Sequence, residues 1–287
     1  MSIHSKSVLI SIVAFGFAGI VPASSSQNIS SGSLQNIENY NSFWQCQDFL
    51  KDAGLENHSV SDVTFTADGT VWIAASNGLY HYDGYHWTRY TTMNGLPSDF
   101  IRCVYVTRNG ILWVGTDRGA GTYDGQIYNP HGSEKGMAGS SVRRIYEDRT
   151  GRLWFCCDRW PDSKIVGGLS RYDGKEWRTF QAADGFTEDH IVDCLESSDG
   201  DFYIISNHTI LKESHGKWID PLKESGLGHG EHYRSIVEYP KGNLLVFSDL
   251  GVYREKGNQW NFMPYPPDTF LINYPLCITD DDYLYSF

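Results

Sequence analysis

The sequence predicts an all-β fold, a β-propeller of four-stranded antiparallel blades with five complete units and a partial sixth. Three observations lead there. A turn followed by an apolar residue and an aromatic returns at steps of 41, 41, 49, 42 and 40 residues. Glycine-bearing turns interrupt the chain every eight to eleven residues within a unit. Eight of the nine tryptophans keep register with this repeat.

The first mark runs Asp68-Gly69-Thr70-Val71-Trp72, Asn109-Gly110-Ile111-Leu112-Trp113, Thr150-Gly151-Arg152-Leu153-Trp154, Asp199-Gly200-Asp201-Phe202-Tyr203 and Lys241-Gly242-Asn243-Leu244-Leu245. Asp281-Asp282-Tyr283-Leu284-Tyr285 is a weaker sixth copy. A second mark, Asp83-Gly84, Asp124-Gly125, Asp173-Gly174 and Lys256-Gly257, precedes another set of aromatics: Trp87, Tyr128, Trp177 and Trp260. Trp218 holds that place in the fourth unit, and Trp44 begins the series.

Within the first unit, apolar runs start at Val60, Val71, Leu79 and His86, and Asp68-Gly69, Asn77-Gly78 and Asp83-Gly84 separate them. Such dipeptides between alternating runs are hairpin signals, because the turn needs positive φ. A four-strand meander of about forty residues, repeated, stacks radially into blades. Helix-pair solenoids fail because the turns come too often for helices. The aromatics in register are then core, packing sheet on sheet. Trp44 would lie on an outer strand with no blade before it, the kind that completes a last blade and removes open edges. The sixth unit stops at Phe287, so the expectation is an incomplete chain of a six- or seven-bladed ring.

Residues 1–23 have the pattern of a secretory signal: Lys6, an apolar run from Val8 to Val21, and Val21-Pro22-Ala23 as the cleavage site. Residues 24–39 are expected to be a linker and 40–287 the propeller. The run is too short to span a membrane, which places the mature chain in the periplasm or outside the cell. A formal charge of -12 argues against nucleic acid as partner. The six cysteines are Cys46, Cys103, Cys156, Cys157, Cys194 and Cys277. They allow fifteen complete pairings, and buried free thiols are the simpler reading.

The segment from Gly110 through Trp113, Thr116, Gly119 and Tyr123 to Asp124-Gly125 resembles the two-component regulator propeller repeat. Glu147-Asp148-Arg149-Thr150-Gly151-Arg152-Leu153-Trp154, continued by Gly168 to Gly174, resembles it too, as does Asn94-Gly95-Leu96-Pro97-Ser98. The likeness fades after the third unit, where Tyr203 and Leu245 replace the tryptophan. The resemblance implies the periplasmic sensor region of bacterial hybrid histidine kinases, some of which sense glycans. It implies a sensing module, with no kinase motif in this chain.

In an up-and-down blade, the loop between strands two and three shares a face with the loop joining one blade to the next, and ligand sites gather on such faces. The third unit carries eight extra residues there. Asp158, Arg159, Trp160 and Lys164 of that insert are candidate ligand contacts: Trp160 either stacks on a sugar ring or partner side chain, or covers its own blade. Before the innermost strands stand His58, Asp99, Asp189, His190, Glu231 and His232, and Arg118 occupies an equivalent second turn. This ring of imidazoles and carboxylates could bind hydroxyl groups or a cation, or be polar because it is wet; without metal-type spacing we assign no metal and no cofactor. The partners expected are an oligosaccharide or other small ligand, a protein, or a second copy. The competing classes are a lyase or hydrolase using His190, His232, Glu231 and Asp189, and a protein-binding scaffold. No nucleophile elbow, HExxH or phosphate loop is present.

Overall fold

The computed structural model describes residues 53–55, 57–131, 136–158, 167–214, 216–227, 232–257, 259–265, 276–278 and 284–286. The signal, linker and Trp44 readings fall outside these residues.

Five four-stranded antiparallel sheets follow one another between Asn57 and Ser286. Blade 1 joins β1 (Val60–Phe65), β2 (Val71–Ala75), β3 (Gly78–Tyr82) and β4 (Trp87–Tyr90) in chain order. Blade 2 repeats this with β5 (Ile101–Val106), β6 (Leu112–Thr116), β7 (Gly119–Tyr123) and β8 (Tyr128–His131). Blade 3 holds β9 (Ser141–Glu147), β10 (Leu153–Asp158), β11 (Gly168–Tyr172) and β12 (Trp177–Thr179). In blade 4 these are β13 (Ile191–Glu196), β14 (Phe202–Ser206), β15 (Ile210–Ser214) and β16 (Lys217–Ile219). Blade 5 has β17 (Tyr233–Glu238), β18 (Asn243–Ser248), β19 (Gly251–Lys256) and β20 (Gln259–Pro264). A two-stranded sheet, β21 (Leu276–Ile278) with β22 (Leu284–Ser286), is the partial sixth unit. The first strands pack in sequence, β1 on β5, β5 on β9, β9 on β13, β13 on β17 and β17 on β21, so they are the inner strands of a propeller.

The turns work as the sequence pattern implies, with an added role for the aspartate. Gly84 takes φ 96°, while Asp83 Oδ1 accepts the amides of Tyr85 and His86 at 2.8 and 2.7 Å. Asp124 and Asp173 repeat this arrangement. These links hold all three carboxyls below the usual range.

Each seam between blades is an aromatic core. Trp72, Trp113 and Trp154 are buried, as are Tyr203 and Tyr253. Trp154 stacks on Phe202 of the next blade with centroids 4.1 Å apart, a contact worth about 0.5–1.5 kcal/mol beyond its buried area. Two rows of polar links reinforce the seams. Near one end, the amides of Arg108, Arg149 and Ser198 donate to Glu147, Glu196 and Glu238 of the following blade, at 2.7, 2.6 and 2.8 Å. Along the inner strands, Asp62 accepts the Val104 amide at 3.1 Å and Asp193 that of Ile236 at 3.2 Å.

Cys103, Cys156, Cys157 and Cys194 are free and buried, in line with the simpler sequence reading. Cys156 and Cys157 point to opposite sides of β10, one into the seam with blade 4 and the other into the seam with blade 2. Burial pushes the thiols of Cys103 and Cys156 well up and that of Cys157 to about 12. Because the thiolate is the nucleophile, iodoacetamide should modify these four only after unfolding. Peptide mass mapping checks this, and rapid native labelling of any of them would contradict the packing described.

Candidate functional site

The inner strands share a local irregularity that shapes the site. In all five blades the β-ladder slips near the start of the inner strand, at its second residue in four blades and its third in blade 3, and Ser61, Arg102, Arg143, Val192 and Arg234 are the extra residues. A bulge of this kind re-aims a side chain and is common beside binding sites. Three of the five bulge residues are arginines.

Arg102 and Arg143 converge on Asp158, the last residue of β10. Arg102 Nη2 lies 3.3 Å and Arg143 Nη1 3.4 Å from Asp158 Oδ2. His190 Nδ1 meets Asp158 Oδ1, and Arg102 Nη1 donates to Ser141 Oγ at 2.7 Å. Arg143 Nη1 also lies 3.4 Å from His190 Nε2. A guanidinium only donates, so the neutral imidazole that satisfies both contacts accepts at Nε2 and carries its proton on Nδ1. Exposure grades outward: the side chains of Asp158 and Arg102 are 9% and 15% exposed, those of His190 and Arg143 29% and 34%. The outer pair therefore faces solvent on a base held from within.

Burial raises the Asp158 carboxyl, but the hydrogen bond from His190 and the charges of Arg143 and Arg102 outweigh it and hold the group below its ordinary value. Arg102 is lowered by burial and by Arg143 beside it, against the pull of Asp158. One step deeper on the inner strands, Arg144 Nε lies 3.2 Å from Asp193 Oδ1. Burial raises Asp62 and Asp193 despite Arg144, and Asp193 foremost raises Arg144 in turn.

Of the sequence-predicted residues, the structure brings Asp158 and His190 together. Their contact joins a strand-two end to an interblade loop, so the two loop types share a face. Asp158 itself is a correction: it ends a strand and is buried, because two arginines and an imidazole draw it inward, and it is not part of an exposed insert. Asp99 Oδ1 accepts the Thr92 amide at 2.6 Å within the interblade turn. The His232 amide donates to Asp249 Oδ1 at 3.0 Å, its carbonyl accepts the Asp249 amide at 3.0 Å, and its ring lies 4.6 Å from that of His208. His58 and Arg118 are exposed, and Asp189 is half-buried beside His190. Arg159, Trp160, Lys164 and Glu231 lie outside the described residues. Sequence reasoning missed Arg102 and Arg143. The recurring Ile101-Arg102, Val142-Arg143 and Tyr233-Arg234 at the start of inner strands was the available signal. Among the described residues no three His, Cys, Asp or Glu side chains are grouped to hold a metal, and no helix is long and apolar enough to cross a membrane.

Residues 95–118 and 136–159 match the family model described as two component regulator propeller. The extracellular domain described as that of a hybrid two component system from B. thetaiotaomicron is similar in fold, with a TM-score of 0.66 at 19% identity over 79% of this chain and 32% of that one. A second such domain, from a one component system of the same organism, gives a TM-score of 0.62 at 17% identity over 80% and 31%. The chain thus spans about a third of the length of these extracellular domains. A catalytically inactive virginiamycin B lyase from Staphylococcus aureus, solved with quinupristin, has a TM-score of 0.58 at 14% identity over 81% and 85%. No curated protein matches by sequence.

Proposed function

With two-component regulator propeller repeats as part of its fabric, we propose that this chain is an extracytoplasmic sensing module that binds a ligand at the channel mouth and catalyses nothing. The observation that carries the reading is the cluster of Arg102, Arg143, Asp158 and His190, which offers donors and an acceptor side by side where inner strands begin and β10 ends. Such convergent polar groups on a rigid frame suit a polyhydroxylated ligand such as an oligosaccharide. The similarity to extracellular domains of one and two component systems supports an extracytoplasmic setting. Titration calorimetry against an oligosaccharide panel tests it. Binding heat should appear for at least one glycan, and Arg143→Ala should weaken it by roughly tenfold, the worth of one charged hydrogen bond. Silence across the panel would remove the carbohydrate reading.

The His190–Asp158 contact also has the form of an acid–base pair, and a lyase shares this fold. Arg143 weighs against that use, because it occupies the Nε2 side through which His190 would take a proton. Turnover of any substrate that vanishes in His190→Ala but survives in Arg143→Ala would favour the enzyme instead.

A further inference from the structure

We infer that Cys156 and Cys194 form a disulfide site in the seam between blades 3 and 4, which a disulfide oxidant closes and which then locks the two blades together. The source of the oxidant rests on the extracytoplasmic setting proposed above, since such compartments are oxidising.

The inner strand of each blade packs on the second strand of the blade before it: β5 on β2, β9 on β6, β13 on β10 and β17 on β14. One layer of this packing recurs in the same register at all four seams, just past the inner-strand bulge. Ala74 and Val104 share the core between blades 1 and 2, and Ile205 and Ile236 that between blades 4 and 5. Gly115 and Ile145 hold these places between blades 2 and 3. The layer is tight, because a methyl group built on Gly115 would lie 3.1 Å from Val142 Cγ1 of the next blade. At the seam between blades 3 and 4 the two places hold Cys156 and Cys194, 0% and 2% exposed, within one apolar core.

These two thiols interact with each other directly. The other two buried thiols are aimed at the backbone: Cys103 Sγ donates to the Val142 carbonyl at 3.5 Å, and Cys157 Sγ lies 3.9 Å from the Phe155 carbonyl oxygen. Among the described residues, Cys156 and Cys194 are therefore the pair set to be joined.

Two thiol–disulfide exchanges close the bond. One cysteine thiolate attacks a sulfur of oxidised glutathione, and a glutathione thiolate leaves. The second cysteine thiolate attacks the cysteine sulfur of that mixed disulfide and expels the other glutathione. Two thiols are oxidised, one disulfide is reduced, and both protons end on glutathione thiols. Burial pushes the Cys156 thiol well up, and the thiolate is the reactive form. The exchange therefore runs while blades 3 and 4 are parted, during folding or local opening. The dithiol seen here and the disulfide are two redox states of one seam. The bond closes a loop that contains β11 and β12, and such a closure stabilises by restricting the unfolded chain.

The full chain, reduced and unfolded in urea, is refolded in oxidised glutathione and then mapped by tandem mass spectrometry after blocking with iodoacetamide. A second sample stays native and meets the same oxidant in urea below its unfolding transition. Cys156 should be found joined to Cys194. The link should persist in Cys157→Ala, which excludes the neighbouring thiol, and vanish in Cys194→Ala. The linked chain should melt roughly 5–15 °C above its reduced form, a gain that dithiothreitol removes. Both thiols free in both samples, or either joined to Cys46, Cys103 or Cys277, overturns the inference. A linked chain that melts no higher than the reduced one overturns the lock. None of these readouts involves a glycan, so a missing link and a silent oligosaccharide panel are separate failures.

Discussion

Asp148→Ala should lower stability by about 3–5 kcal/mol, the cost of removing one partner from a buried charged network. Asp148 is 1% exposed and serves as the hub of the blade 3 turn. Its Oδ1 accepts from the Thr150 amide and hydroxyl at 2.9 and 2.6 Å and from the Arg152 amide at 3.0 Å. Its Oδ2 accepts from Arg152 Nε at 2.7 Å and from Trp154 Nε1 at 2.9 Å. Without the carboxylate, a buried indole N–H and two turn amides lose their acceptor, and each orphaned donor costs about 1–3 kcal/mol. Blade 2 does the same work with Thr107, whose Oγ1 accepts the Ile111 amide at 2.9 Å. Asp148→Thr should therefore recover part of the loss, though not the bond to Trp154. Burial raises the Asp148 carboxyl, but the bonds from Thr150, Trp154 and Arg152 prevail and its value falls below 3.8. Its stabilisation is thus present above 3.8 and disappears as pH falls through the lowered value. Urea midpoints measured across pH check both points. A midpoint for Asp148→Ala equal to that of the parent at neutral pH would refute the hub.

The blade architecture was legible because it depends on local chemistry repeated five times. Gly84 or Gly110 at positive φ and a tryptophan two or three residues past a turn are visible in the chain itself, and β1 and β2 run from Val60 and Val71 as read. The site was legible only in part. His190 and Asp158 could be placed on one face because topology fixes which loops meet. Arg102 and Arg143 could not, since a strand of strict alternation assigns them a side, and only the bulge turns them toward Asp158. The role of Asp148 was also hidden. Its pattern says turn, whereas its contacts to Trp154 and Arg152 follow from burial that no dipeptide announces.

Arg144→Met should cost about 2–3 kcal/mol at neutral pH, with a pH dependence on the other side of 3.8 from that of Asp148. Arg144 extends from β9 between two half-buried carboxylates, with Asp193 at 3.2 Å and Asp62 within its field. Its side chain keeps 41% exposure, so water screens part of the interaction and the cost falls below the 3–5 kcal/mol of a fully buried pair. Asp62 and Asp193 already sit above 3.8, because burial outweighs Arg144 and the amides of Val104 and Ile236. Removing the cation raises them further. A carboxyl with a raised folded value carries no penalty while protonated and loses stability as pH rises from 3.8 through that value. The deficit of Arg144→Met should therefore grow with rising pH above 3.8 and shrink on acidification, whereas the deficit of Asp148→Ala stays constant there and closes only below 3.8. The two urea series thus separate a carboxylate held by donors from carboxylates held against burial by one arginine. A deficit for Arg144→Met that stays flat from acid to neutral pH would mean that Asp62 and Asp193 do not depend on Arg144, and that the amide bonds to the next blade suffice to keep them charged.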